Sequence, residues 1–277
     1  MAFGDLSRVG TNLQSMQALN TLQSTNKEIG MRQMRLATGS RLNSAEDDSA
    51  GYTISKKLEA RVRGQAQALS NVGDAKSMLT VAEGSLNSIM DVLQTMKEKT
   101  IQAANDTMGT DERTAIKNEL DALSAEVSDI IGDTTFNGTS LFSSGGTSFS
   151  FQVNAESGDT FTASVNSLTA AGIGVAAGSL VVSDAANASQ TIANIDDAID
   201  DITSSVSSLG DSQKRLTFKQ ENLTTSMNNY EAARSRIADA DFAKEQMEIV
   251  KLQILQQTSL SATAQANSAP QSILSLL

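Results

Sequence analysis

Hydrophobic residues recur at alternating spacings of three and four between Ile192 and Ile237. Eleven of the fourteen positions in this stripe are apolar, and the stripe consists of Ile192, Ile195, Ile199, Ile202, Val206, Leu209, Gln213, Leu216, Gln220, Leu223, Met227, Tyr230, Arg234 and Ile237. A period of 3.5 kept for more than six heptads is typical of a coiled-coil seam. Such a helix is roughly 70 Å long, too long for a compact globule of this size, so it predicts partner helices of similar length.

Three earlier stretches have helical spacing. One runs from Leu6 to Leu36 and ends at Thr38-Gly39-Ser40. The second runs from about Thr53 to Ala104, and its predicted core columns are Ala68, Ala75, Ala82, Ile89, Met96 and Ala103 beside Val72, Leu79, Leu86, Leu93 and Thr100. The third begins at Asp111-Glu112, where acids suit a helix start, and buries Ile116, Leu120, Leu123, Val127 and Ile130. Beyond Ile237 the helical pattern continues through Phe242 to Leu255, with apolar residues on nearly every side.

A change of pattern separates the third helix from the long one. Apolar residues alternate at Phe149, Phe151 and Val153, and again at Phe161, Ala163 and Val165, across a Ser157-Gly158-Asp159 turn. This alternation predicts a β-hairpin with one apolar face. Asn137-Gly138 predicts a tight turn. The segment from Ala170 to Ala188 is small and weakly patterned, which indicates a loop or short strands.

Both ends of the chain are uncharged over long stretches. No charged residue occurs from Val9 to Asn26 or from Leu252 to Leu277. A helix that is apolar on several faces must be surrounded, and one partner helix covers only part of it. A polymer with these ends at its inside would bury the rest, and an intramolecular two-helix tail or a disordered tail are the alternatives. The predicted inner contacts are Leu13, Met16, Leu22, Ile29, Leu36, Met247, Val250, Ile254, Leu255 and Leu260.

Composition narrows the function. The chain has 277 residues, a net charge of −11 and no Cys, His or Trp, so thiol chemistry and the usual imidazole acid, base and metal ligand are absent. No Lys or Arg occurs from Asn118 to Gln213, which disfavours nucleic-acid binding. We expect no cofactor, no metal and no enzyme activity. We also expect no ordinary secretory signal and no membrane-spanning helix.

Two carboxylate groupings have alternative explanations. Asp196-Asp197 with Asp200-Asp201 is the best cluster for an enzyme, but the four lie near the predicted start of the long helix. A solvated face aligned with the helix dipole is favoured there. Asp47-Asp48 is predicted to cap the second helix together with Ser44, because the pair has no spacing that fits a metal loop.

Two long motifs resemble those of bacterial flagellins. The segment from Leu36 to Gly51, Leu-Ala-Thr-Gly-Ser-Arg-Leu-Asn-Ser-Ala-Glu-Asp-Asp-Ser-Ala-Gly, resembles the family's loop, and its motif residues are Arg41, Asn43, Asp47, Asp48 and Gly51. Ser235 to Glu245 resembles the C-terminal Ser-Arg-Ile-x-Asp segment. Thr135 to Gly138, Phe151 to Val153 and the last twelve residues are also similar to the family's. The resemblance covers roughly residues 8–142 and 190–277.

The resemblance implies a fold and a function. The fold would be mainly α, a long antiparallel coiled-coil helical bundle with a small β-hairpin, in a hairpin-shaped subunit with its N- and C-terminal helices paired. Residues 1–45 and 238–277 would form the inner core, residues 46–140 and 190–237 the outer tube, and residues 141–189 the β-hairpin and a short variable surface loop. The function would be that of a structural subunit that polymerises into the flagellar filament for motility.

The resemblance also implies partners and a location. The chain would bind copies of itself, an export chaperone at its C-terminal end, and the hook-associated and filament cap proteins. It would be exported unfolded through the flagellar type III channel, to an external or a periplasmic filament. A hook–filament junction protein remains an alternative within the fold, and a coiled-coil adaptor or secreted effector is an alternative of another class.

Two departures from the family pattern have consequences. Only about twenty residues stand where longer flagellins insert large outer domains, so we expect those domains to be absent. The family's site for the vertebrate receptor that senses flagellin uses an Arg, a Leu and a Glu. The matching positions are Thr95, Lys99 and Glu119, of which only the Glu is kept, so we expect weak or no activation of that receptor.

Overall fold

The computed structural model describes residues 11–142 and 145–274, with backbone alone for 269–274. Five helices and four short strands follow in order: α1 Leu13–Thr38, α2 Ser49–Ala103, α3 Thr110–Asp133, β1 Thr135–Phe136, β2 Thr139–Ser140, β3 Thr147–Gln152, β4 Thr160–Val165, α4 Ala185–Ala238 and α5 Phe242–Leu274. The chain divides into two compact units, residues 1–60 with 229–277 and residues 61–228. The predicted mainly α fold with a small hairpin is confirmed.

The core of unit 61–228 includes the packed seam of α2 and α4. On α4 the residues seven apart are buried, namely Ile195, Ile202, Leu209, Leu216 and Leu223. Both predicted columns of α2 are also buried, from Ala68 to Ala103 and from Val72 to Thr100. Lys97 Nζ lies 2.5 Å from Asp196 Oδ1, and Lys76 Nζ lies 3.2 Å from Thr217 Oγ1. Rising numbers on one helix meet falling numbers on the other, so these helices run antiparallel.

Two antiparallel hairpins match the predicted turns. β1 pairs with β2 around Asn137 and Gly138, which both have positive φ, 50° and 77°. Asn and Gly are the residues that tolerate this conformation. β3 pairs with β4 so that Phe149 opposes Ala163 and Phe151 opposes Phe161. The predicted apolar hairpin is therefore confirmed.

The second hairpin is seated on α2. Arg61 of α2 pairs with Glu156 in the hairpin turn at 2.9 Å, and the Asn71 side-chain amide donates to the carbonyl of Gln152 at 3.0 Å. At Gly64, a Cβ would stand 2.8 Å from the Cβ of Ala155. A glycine is needed there because a side chain would push the turn off the helix.

Two boundaries differ from the sequence expectations, and the segment after Ala170 is a loop, one of the two expected forms. The predicted continuation of the long helix beyond Ile237 is wrong, because α4 ends at Ala238 and α5 begins at Phe242. Helix α2 begins at Ser49, four residues before the predicted start. Between Ala170 and Asp184, a stretch described in full, the chain forms turns and no strand. Its apolar side chains still join the core: Ile173, Val175, Leu180 and Val182.

The acidic pairs of α4 are not at a helix start. Helix α4 begins at Ala185, so Asp196 lies about three turns inside it. The helix dipole acts within the first turn, and the dipole explanation for these residues is therefore wrong. Asp197, Asp200 and Asp201 are exposed, as a solvated face requires.

Candidate assembly surface on the terminal helices

Helices α1 and α5 pack side by side in the unit of residues 1–60 and 229–277. The Asn12 side-chain amide donates to the carbonyl of Ala266 at 2.7 Å, and the Ser15 hydroxyl donates to Asn267 Oδ1 at 2.7 Å. Near the other end, Arg32 Nη1 lies 2.7 Å from Glu245 Oε2. The two ends of the chain are thus paired antiparallel, as the family resemblance implied.

The seam between the two helices is narrow. Its buried members are Thr25 and Ile29 on α1 and Glu245, Ile249 and Leu252 on α5. Towards the chain ends the facing positions are only half-buried, and most of them are polar or small: Ala18, Leu22, Gln256, Ser259, Thr263 and Ala266. Apolar burial therefore falls off along the pair, because small and polar side chains remove little apolar area from water.

The outer faces of the pair expose large apolar side chains. Among the described residues, the exposed ones on α1 and α5 are Leu13, Met16, Leu19, Met31, Met34, Phe242, Met247, Val250, Ile254, Leu255 and Leu260. Ile254 is 61% exposed and Met247 is 67% exposed. Of the ten predicted inner contacts, Ile29 is buried, Leu22 and Leu36 are half-buried, and the other seven are exposed. Large apolar side chains exposed in this number are typical of an interaction surface.

A charged cluster, which the sequence did not predict, joins the end of α1 to the start of α5. Arg32 and Arg35 of α1 reach Glu245 of α5 at 2.7 and 3.6 Å, and Arg35 also lies 3.6 Å from Asp47. The Glu245 side chain is 8% exposed, and a carboxylate so buried needs such partners. The sequence carried a signal for this cluster. Arg32, Arg35 and Glu245 lie in the charged segments that border the two neutral stretches.

The two recognised motifs meet in space. Ser40 and Asp239 form an isolated antiparallel bridge. The Arg41 N–H donates to the carbonyl of Ala238 at 2.6 Å, and the Ala240 N–H donates to the carbonyl of Gly39 at 3.0 Å. These main-chain bonds interrupt the helix between α4 and α5. Asp241 then caps α5 by accepting from the Lys244 N–H at 3.1 Å.

The two acids of the loop motif hold the loop and the start of α2. Asp47 Oδ2 accepts from the N–H groups of Asn43 and Ser44, each at 3.0 Å. Asp48 Oδ1 accepts from the Gly51 N–H at 3.0 Å, three residues into the turn that starts α2. The N–H groups of Ser44 and Asn43, with Arg35 nearby, hold the pKa of Asp47 below its ordinary value. The capping prediction is confirmed for Asp48. It is wrong for Asp47, which binds N–H groups of the preceding loop instead of those of α2.

Two motif residues are fixed by backbone geometry. Gly39 ends α1 with a φ of 67°, the left-handed conformation that glycine adopts most readily. At Gly51 an added Cβ would overlap the Asp48 carboxylate and lie 3.0 Å from Leu42 Cδ1. Leu42 is buried, so the loop packs closely against the first turn of α2.

Comparisons with known proteins decide the family. Residues 9–147 match the model of the bacterial flagellin N-terminal helical region, and residues 192–277 match the model of the C-terminal helical region. A flagellin of Halalkalibacterium halodurans is 35% identical over 270 residues, which cover 97% of this chain and 99% of that one. The chain belongs to the flagellin family.

Other flagellins agree in length. Flagellin FlaB1 of Treponema pallidum is 33% identical over 285 residues, covering 97% of this chain and 99% of its own. A solved structure described as a flagellar hook-associated protein from Vibrio parahaemolyticus superposes with a TM-score of 0.58 at 17% identity. It covers 70% of this chain and 100% of the other, and shows the fold alone.

Membership of the flagellin family gives the chain its role. It is a structural subunit that polymerises with copies of itself into the flagellar filament, outside the cell. The junction-protein and adaptor alternatives are not favoured. In the part of the chain that the structure describes, no helix is long and apolar enough to span a membrane, and no group of acids is arranged to hold a metal.

Two of the three positions matched to the family's receptor site form an internal contact. Lys99 Nζ lies 2.7 Å from Glu119 Oε1, which pairs α2 with α3 in unit 61–228. Thr95 is exposed, and its hydroxyl donates to the carbonyl of Asp91 at 3.0 Å. The Glu that this flagellin retains is therefore engaged by a lysine where the family pattern has a leucine.

Proposed function

We propose that α1 and α5 form the inner core of the filament, where neighbouring copies bury their outer apolar faces. The observation that carries this proposal is the concentration of exposed apolar residues. Eleven of the sixteen large hydrophobic residues exposed in the described part of the chain lie on these two helices. Burying a methylene group contributes about 0.8 kcal/mol. Contact with neighbouring copies would therefore stabilise the polymer by burying apolar side chains that are exposed to solvent in one chain.

The neutrality of the chain ends supports the same arrangement. Many copies of a charged helix packed around one axis would repel one another. Helix α1 carries no charge before Lys27, and α5 carries none after Lys251. The residues that would meet at the axis are thus Asn, Gln, Ser and Thr between apolar ones, and they hydrogen-bond without adding net charge.

The regions outside the terminal pair follow from this proposal. We assign residues 46–140 and 190–237 to an outer tube, and residues 141–189 to the outer surface. The exposed α5 face around Phe242, Met247 and Val250 is the surface that we assign to the export chaperone before assembly. Hook-associated and cap proteins would meet the subunits at the two filament ends. The chain would be exported unfolded through the flagellar channel. Cells that lack the export gate would therefore retain it.

Seeded elongation tests the inner-core assignment. Ile254→Gln and Val250→Gln each place an amide where the proposal puts a subunit contact, and the monomer should be unchanged because both side chains are exposed. We expect the critical concentration for elongation of filament seeds to rise about tenfold for Ile254→Gln, as for a lost apolar contact of about 1.4 kcal/mol. Electron microscopy and sedimentation measure the polymer.

Val181→Gln is the matched control for Val250→Gln. The two valines are similarly exposed, 41% and 46%, and Val181 lies in the segment assigned to the outer surface. We expect Val181→Gln to elongate seeds as the unmodified chain does. Normal elongation by both the Ile254 and the Val250 variants would show that this face is not an assembly contact.

A further inference from the structure

The exposed methionine side chains all lie on the terminal helices. The sequence holds ten Met and no Cys, so thioethers are the only sulfur groups that an oxidant meets in this chain. Nine of the methionines lie in the part of the chain that the structure describes. Four of these are between 41% and 67% exposed, namely Met16, Met31 and Met34 on α1 and Met247 on α5.

The other five described methionines lie in unit 61–228 and are less accessible. Met78 and Met96 on α2 are fully buried. Met90, Met108 and Met227 are half-buried. Because access of an oxidant to the sulfur limits the rate of oxidation, this division predicts two classes of methionine that react at different rates.

Two of the exposed methionines line an open groove beside the loop motif. Met31 and Met34 share this groove of about 650 Å³ with Lys27, Arg35 and the loop residues Asn43, Ser44, Glu46 and Asp47. Water and hydrogen peroxide both fit a groove of this size. The N–H donors of Lys27, Arg35 and Asn43 suit a sulfoxide, whose oxygen accepts hydrogen bonds. Met247 lies on the open face of α5 beside Phe242, Gln246 and Val250.

We propose that Met16, Met31, Met34 and Met247, here called the methionine site, are a modification site for hydrogen peroxide, and that their oxidation stops the chain from assembling. The sulfur attacks one peroxide oxygen and the O–O bond breaks. The leaving hydroxide takes up the remaining peroxide proton and becomes water. The thioether is thereby oxidised to a sulfoxide while the peroxide is reduced.

The sulfoxides change the surface that the inner-core assignment gives to neighbouring copies, and the proposal rests on that assignment. Oxidation converts a flexible apolar side chain into a polar one. A polar oxygen that is buried without a hydrogen-bond partner is unfavourable, so an oxidised subunit fits the filament poorly. The change is reversible by a sulfoxide reductase, which releases the oxygen as water while two thiols become a disulfide.

Peroxide treatment of the free subunit tests the two classes of methionine. The purified monomer is held in hydrogen peroxide, and peptide mass spectrometry follows the gain of one oxygen at each methionine. We expect the four residues of the methionine site to react at least about fivefold faster than Met78 and Met96. Equal rates in the two classes would overturn the modification site.

Seeded elongation measures the consequence of the oxidation. We expect oxidation at the methionine site to raise the critical concentration at least about tenfold. Treatment with sulfoxide reductases for both epimers and a dithiol should return it to within about twofold of the untreated chain. Circular dichroism of the oxidised monomer checks that the helices are intact.

Two leucine variants assign the effect to these residues. Leucine is similar to methionine in volume and has no sulfur. One variant combines Met16→Leu, Met31→Leu, Met34→Leu and Met247→Leu, and we expect peroxide to leave its own critical concentration unchanged. The matched control combines Met90→Leu, Met108→Leu and Met227→Leu, and we expect it to lose assembly on oxidation as the unmodified chain does. The proposal is wrong if the first variant stays sensitive to peroxide or the control becomes resistant.

Oxidation of finished filaments separates this proposal from the inner-core assignment. Burial between subunits should slow oxidation of the methionine site relative to the monomer. Equal rates in filament and monomer would overturn the inner-core assignment, whatever the oxidised monomer does. Normal elongation by the oxidised monomer, together with impaired elongation by Ile254→Gln, would overturn the effect of the methionine site alone.

Discussion

Asp47 holds the loop between α1 and α2 through one carboxylate oxygen. That oxygen accepts two main-chain N–H groups, and the other lies 3.6 Å from Arg35. All three interactions favour the ionised form, which is why the pKa of Asp47 is lowered. The residue therefore makes the stability of this loop depend on pH.

Replacing Asp47 with Asn tests this dependence. Because the folded-state pKa is below the ordinary value of about 3.9, the stabilisation is complete above about pH 4 and is lost as pH falls through the folded-state pKa. We expect Asp47→Asn to lower the free energy of unfolding of unit 1–60 with 229–277 by about 1 kcal/mol at pH 7. The difference should shrink below pH 4. Urea titrations of the monomer at several pH values measure it, and a constant difference would contradict the assignment.

Two substitutions test the receptor prediction. The purified monomer is expected to give weak or no response in a reporter cell that carries the flagellin receptor, because Thr95 and Lys99 replace the family's Arg and Leu. Thr95→Arg with Lys99→Leu restores the family pattern and frees Glu119 from its lysine. We expect the response to rise in this double variant. A strong response from the unmodified monomer would contradict the prediction.

At the scale of the helices, hydrophobic periodicity predicted which faces of the helices and strands are buried. The α4 stripe, both α2 columns and the β3–β4 alternation are where buried side chains must recur on one face. The break between α4 and α5 was missed because it is made by main-chain bonds between Ser40 and Asp239, Arg41 and Ala238. The hydropathy pattern does not reveal main-chain hydrogen bonds between residues so distant in sequence.

The sequence predicted the exposed faces of the terminal helices but not the seam between them. Neutral ends with apolar residues on many sides indicated an assembly surface, and seven of ten predicted contacts are exposed as that requires. Which residues form the seam of the α1–α5 pair did not follow from the sequence. On α5 that seam passes through Glu245, Gln256, Ser259 and Thr263, which a search for apolar heptads does not select.

Removing residues 252–277 tests the role of α5. Unit 61–228 keeps its whole core, so we expect the shortened chain to stay largely helical by circular dichroism. It should be monomeric and should not elongate seeds. The assigned role of this end is wrong if the shortened chain still elongates seeds under the electron microscope.

For the whole molecule, the proposed inner-core contact is expected to be insensitive to salt. The contact is apolar and uncharged, and screening by added NaCl acts on charges. We expect the critical concentration for seeded elongation to differ little between dilute buffer and concentrated NaCl.

The pairing of α1 with α5 joins residues at opposite ends of the polypeptide. The bond from Asn12 to Ala266 spans 254 positions and the bond from Arg32 to Glu245 spans 213. Contacts of such high contact order carry a large loop-closure entropy and form late. A polypeptide that is still growing or only partly translocated has no α5 to pair with α1. We therefore expect this pair to be the last part of the monomer to fold.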